Sequence, residues 1–158
     1  MNPTRNDLSA SVRTKVCELL NARLADLIDM QSQVKQAHWN VKGPAFIAIH
    51  ELFDDISGNL IEHIDTVAER AAQLGGQVMG TARIAAAAST LPEYPVNAVD
   101  QTEHLKAVAD RLSRLGKNIR AAIDASGEFG DADAADIFTQ VSRDVDKYLW
   151  FVESHLAG

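Results

Sequence analysis

One cysteine stands among 158 residues. Cys17 alone can form neither an intramolecular disulfide nor a thiolate zinc site, which removes stapled scaffolds and zinc modules from consideration. It falls in an apolar helical pattern and reads as a small core residue. No apolar run approaches the ~18 residues of a membrane span. The opening stretch MNPTRNDLSASVRTK lacks the apolar centre of a secretory leader, so the expected location is cytoplasmic. Strand-like alternation, sequence repeats and low-complexity tails are also missing. Positive charge is scarce: 15 Lys and Arg against 22 Asp and Glu leave a net charge of -7. That balance argues against a surface that attracts nucleic acid everywhere, and suits a particle that concentrates cations.

What is present is helix. A 46% hydrophobic fraction suits one soluble domain over residues 1–158, with 1–7 as a short tail. Leu8, Val12, Val16, Leu20, Leu24, Leu27 and Val34 follow helical spacing, predicting a first helix from about residue 8 to the region of Trp39. Gly43-Pro44 breaks the chain, with proline suited to the first turn of a second helix. That helix carries Ile49, Phe53, Ile56, Leu60, Ile64 and Val67 and stops at Gly75-Gly76. Residues 77–99 form a long connection whose alanine-rich part suits a short helix. A third long helix starts near Asp100 with Glu103 placed for a capping box. SGEFGD reads as a turn before a fourth. Four long helices with one long crossover, between the second and third, predict an all-α, ferritin-like four-helix bundle rather than an up-and-down one.

The second helix carries the chemistry. His50 and Asp54 lie four residues apart, as do Asp65 and Glu69, and all four fall in a sector of about 100°. Asp54 and Asp65 are nevertheless ~16 Å apart along the axis, so no single ion touches both pairs on one chain. Both pairings, His50 with Glu69 and Asp54 with Asp65, centre between Asn59 and Leu60. An antiparallel second copy of the helix would set His50 opposite its mate's Glu69 and Asp54 opposite its mate's Asp65. Small residues at Ser57, Gly58 and Ala68 would permit close approach. His38, at the end of the first helix, can join His50 and Asp54. Two imidazoles and three carboxylates suit iron or manganese. Equally spaced acids also occur on solvated faces, where Glu69 would pair with a basic neighbour. His63 reads as a surface or packing residue, and His104 and His155 have no evident convergent acids. The last two helices offer no Glu-x-x-His motif, which disfavours a site inside each bundle.

The run His38-Trp39-Asn40-Val41-Lys42-Gly43, followed by Phe46, His50-Glu51, Asp54 and Asp65-x-x-Ala68-Glu69-Arg70, resembles the signature of the Dps family. Similarity extends from Thr4-Arg5-Asn6-Asp7 to the closing SRDVDKYLWFVES. The resemblance implies a hollow dodecamer with ferroxidase centres at its two-fold interfaces, each holding two iron ions. Asp65 and Glu69 of one subunit with His38 of its neighbour would hold the first iron, and His50 and Asp54 the second. Hydrogen peroxide would be the main oxidant of Fe(II), with ferric mineral stored in the cage and DNA thereby protected. Trp39 would transfer electrons or quench radicals, with plain packing as its alternative. Asp131, Asp133 and Asp136 correspond to the acids of the family's ion pores. Members that compact DNA use a lysine-rich N-terminal arm, whereas here Arg5 is the sole basic residue before Asp7. DNA binding is therefore expected to be weak or absent. Two alternatives stay open: a nucleoid-associated DNA-compacting protein with ferroxidase activity secondary, and a structural cage with inert metal sites.

Overall fold

Apolar residues at helical spacing must bury one stripe, and four such stripes close on each other here. In the computed structural model, which describes residues 1–157, the helices are α1 (Ala10–Asn40), α2 (Phe46–Gln73), α3 (Ala82–Ala88), α4 (Gln101–Phe129) and α5 (Ala132–Ser154). Helix α1 packs chiefly on α2, and α4 on α5, with α1 against α4 and α2 against α5 completing the bundle. Phe53, Phe138, Leu20, Leu24, Leu27, Met30 and Ile49 are fully enclosed between them. Cys17 is buried in the same core. No described helix is long and apolar enough to cross a membrane.

Boundaries follow from caps. The Ser9 hydroxyl accepts from the Val12 amide and starts α1. At α4 the capping box forms as the sequence suggests: Asp100 accepts from Thr102 and Glu103, and the Glu103 carboxylate accepts from Asp100. The structure departs from the sequence expectation at two places. Pro44 lies in the turn before α2 rather than in its first helical turn; the free amide of Ala45 is instead capped by the Gln101 side chain at 3.0 Å. The stretch SGEFGD is mostly helix. Ser126 is buried and donates its hydroxyl to the Ala122 carbonyl, so α4 continues through Phe129. Only Gly130, with φ +86, makes the turn, because the left-handed conformation there favours a residue without a side chain.

The crossover is held by acids of α1. Buried Asp26 accepts from the Thr90 amide at 2.7 Å and from Asn118 of α4 at 3.1 Å. Asp29 accepts from the Ser89 hydroxyl at 2.6 Å. Residues 77–99 contain α3, capped by Thr81. The crossover therefore spans the bundle on a fixed path.

Candidate metal centre

His38 leaves the last turn of α1, and His50 stands in the second turn of α2. The tight connection between these helices stacks their rings, with centroids 3.7 Å apart and an interplanar angle of 21°. Each ring bonds to the other residue's main chain: His38 Nδ1 lies 2.8 Å from the His50 carbonyl oxygen, and His50 Nδ1 lies 2.9 Å from that of His38. A carbonyl can only accept, so each Nδ1 carries the hydrogen and each Nε2 keeps its lone pair in the neutral ring. Both imidazoles are thus fixed in a tautomer suited to a metal, a role that carbonyls often play behind histidine ligands.

Beside them, Asp54 completes one end of a cleft of about 400 Å³ lined also by Glu51 and Asp55. Lys35 of α1 donates to Asp54 at 2.6 Å, and its cation holds the carboxyl below the usual carboxylate range. A cation therefore already sits where a metal ion would compete for Asp54. The sequence reading overlooked Lys35, although its spacing three residues before His38 puts it on the same helix face. Its ammonium also lies 5.9 Å from the ring of exposed Trp39.

Asp65 and Glu69 lie on the same helix but far along it, both exposed. Among the described residues neither makes an ion pair, so Glu69 has no basic neighbour holding it. Among the described residues no three His, Cys, Asp or Glu side chains gather in one chain as a metal-binding group. The face between the two ends carries exposed Gly58 and Ile61, the latter 54% accessible. An isoleucine standing so far into water on the face that carries Asp54, Asp65 and Glu69 suits cover by another protein surface.

Asp131 is buried, caps α5 by accepting from the Ala134 amide, and receives two bonds from buried Arg70, the shorter at 2.6 Å. Asp133 lies 3.3 Å from the same guanidinium and is open to solvent, as is Asp136. Arg5 is exposed. His63 is buried and meets Asp144 of α5 at 3.0 Å, a packing role. His104 is buried against Tyr94, a partner the crossover brings from outside its own helix.

A four-helix bundle with one long crossover is the ferritin-like arrangement, and the Ferritin-like domain family matches residues 17–158. A DNA protection during starvation protein of Agrobacterium fabrum is 46% identical over 153 residues, 97% of this chain and 94% of its own. A Mycobacterium smegmatis Dps structure aligns with a TM-score of 0.94 at 29% identity, over 100% of this chain and 95% of its own. A Dps from Microbacterium arborescens, described in its high iron form, gives 0.87 at 30% identity over 95% and 97%. The chain belongs to the Dps family of ferritin-like proteins.

Proposed function

We propose that this protein is an iron-storing ferroxidase, assembled as a dodecameric cage, that oxidises Fe(II) mainly with hydrogen peroxide at centres shared between two subunits. The observation that carries the reading is the reciprocal bonding of His38 and His50, which leaves both Nε2 atoms free beside Asp54. Asp65 and Glu69, unpaired on the far part of the same face, supply the carboxylates for a mate's histidines.

Iron is the substrate in this scheme. Asp65 and Glu69 of one subunit with His38 of the next bind one Fe(II), and His50 with Asp54 binds a second after Lys35 has been displaced. Carboxylates favour Fe(III) over Fe(II), while neutral imidazole retains Fe(II) at neutral pH. Two Fe(II) give one electron each to a single peroxide, whose O–O bond breaks and whose oxygens leave as water after taking protons. Paired electrons avoid the single-electron step that releases hydroxyl radical. Ferric product then hydrolyses and is stored inside. Solvent-facing Asp133 and Asp136 supply negative charge at the iron entry route, and Trp39, next to His38, supplies an electron when only one Fe(II) is bound.

The test is anaerobic Fe(II) loading followed by peroxide, read as ferric absorbance. Asp65→Ala/Glu69→Ala should slow oxidation by at least the ~10–100-fold that even outer-shell losses cost at metal sites. Oxidation at the wild-type rate in this variant would overturn the assignment.

DNA is protected in this scheme by removing iron and peroxide, not by binding. With a net charge of -7, the chain meets the phosphate backbone unfavourably. A gel-shift assay at ~150 mM salt, where charge interactions are screened beyond ~8 Å, should show no retarded duplex. Tight binding there would favour the nucleoid-compacting alternative.

A further inference from the structure

Away from the metal-centre candidate, a half-buried tyrosine and a buried histidine form a pair with one atom left over. The Tyr94 hydroxyl of the crossover and His104 Nδ1 of α4 are 2.5 Å apart, with the rings stacked at 20°. His104 is 1% exposed, and its Nε2 is buried without a hydrogen bond of ordinary geometry. The main chain of Asn40, two residues beyond His38, lies near the His104 ring. The Arg111 guanidinium lies 6.0 Å from the Tyr94 ring centre, held by Gln33 and by the Glu93 carbonyl.

We propose that Tyr94 and His104 are a redox-active pair that takes up single oxidising equivalents. The phenol gives one electron to a one-electron oxidant and its proton to His104 Nδ1. The O–H bond breaks, an N–H bond forms, and the products are a neutral tyrosyl radical and an imidazolium. Hydroxyl radical, the oxidant formed when peroxide meets a lone Fe(II), is reduced to hydroxide. A later Fe(II) returns the electron, becoming Fe(III), and the proton goes back to the phenolate oxygen. The identity of this cellular oxidant rests on the ferroxidase reading; the chemistry of the pair does not.

Several features favour the step. Burial pushes the Tyr94 phenol up to about 12, so the proton stays on oxygen until an electron leaves. Burial lowers the His104 pKa and keeps the ring neutral, and with the Tyr94 O–H donating, Nδ1 is the nitrogen that accepts. The Glu103 and Asp100 carboxylates oppose that lowering and stabilise the imidazolium once formed. Arg111 disfavours a second positive charge on the phenol ring, so electron loss must be coupled to proton loss. Tyr148, the other tyrosine, instead has Lys147 and Phe151 against its ring.

The test uses photogenerated ruthenium(III) tris(bipyridine) as oxidant on the assembled, iron-free protein, with electron paramagnetic resonance as readout. A tyrosyl signal should form in the wild type and in Tyr148→Phe, vanish in Tyr94→Phe, and fall at least tenfold in His104→Gln. Glutamine can accept the hydrogen bond but not the proton. High-field spectra of the wild-type radical should show a strong exchangeable hydrogen bond, whether or not His104→Gln folds. A signal surviving Tyr94→Phe, an undiminished one in folded His104→Gln, or a radical without that hydrogen bond would overturn the pair. Fe(II) with peroxide forms the second arm. Iron oxidation without a Tyr94 radical in the ruthenium arm sinks the pair and leaves the ferroxidase; a Tyr94 radical without iron oxidation does the reverse.

Discussion

Gly58→Leu is expected to abolish assembly and rapid iron oxidation together, while the single chain keeps its fold. Gly58 is exposed in the middle of α2, and a Cβ placed there meets no neighbouring atom within 4 Å. Replacing a mid-helix glycine with a good helix former adds roughly 1 kcal/mol to helix stability. The isolated subunit should therefore be as stable as the parent or slightly more so. What leucine disturbs is the approach of a second α2, since axes of packed helices lie only about 8–10 Å apart. With His50 and Asp54 at one end and Asp65 and Glu69 at the other, the proposed shared centre cannot close without that approach. Light scattering and peroxide-driven ferric absorbance on the same samples measure both losses. A monomeric variant with normal oxidation would end the shared-site reading, and an intact, active cage would move the pairing face elsewhere.

Asp131→Ala is expected to lower stability by about 3–5 kcal/mol, the usual cost of leaving a buried ionic partner uncompensated. Its side chain and that of Arg70 are 2% and 8% accessible. Loss of the carboxylate leaves the guanidinium with exposed Asp133 at 3.3 Å and removes the cap of α5, worth a further ~1 kcal/mol. Arg70→Ala should cost a similar amount, and the double variant less than the sum, because both remove the same interaction. Asp136→Ala, at an exposed site, should stay within about 0.5 kcal/mol of the parent. Urea unfolding of iron-free protein at one fixed concentration checks all four, since assembly and bound iron both shift apparent stability. An Asp131→Ala protein as stable as the parent would show that the ion pair contributes nothing. The contrast also divides the acids at the start of α5: Asp131 is occupied by Arg70, whereas Asp136 is exposed and makes no ion pair among the described residues.

Much of the fold was legible because helical periodicity is local. Ile49, Phe53, Ile56 and Val67 recur on one side of α2, and all are buried. The capping box at Asp100 was legible for the same reason, since its partners lie within three residues. The loop-like composition of SGEFGD misled because packing outweighs intrinsic preference. Ser126 is buried where α4 meets its neighbours, and its hydroxyl is satisfied within the helix. Pro44 misled through a long-range cap, as Gln101 lies 56 residues from the amide it satisfies.

The candidate centre divides along the same line. The sequence alone determined which side chains share a face of α2, how far apart they stand, and that one chain cannot close a site with both pairs. Those are consequences of 1.5 Å and 100° per residue. Only the tertiary structure decided that His38 and His50 fix each other's tautomer, that Lys35 already occupies Asp54, that Asp131 belongs to Arg70, and that Tyr94 reaches His104. Each depends on how connections of fixed length fold back and bring separate helices into hydrogen-bonding distance. Helix periodicity carries no record of that path.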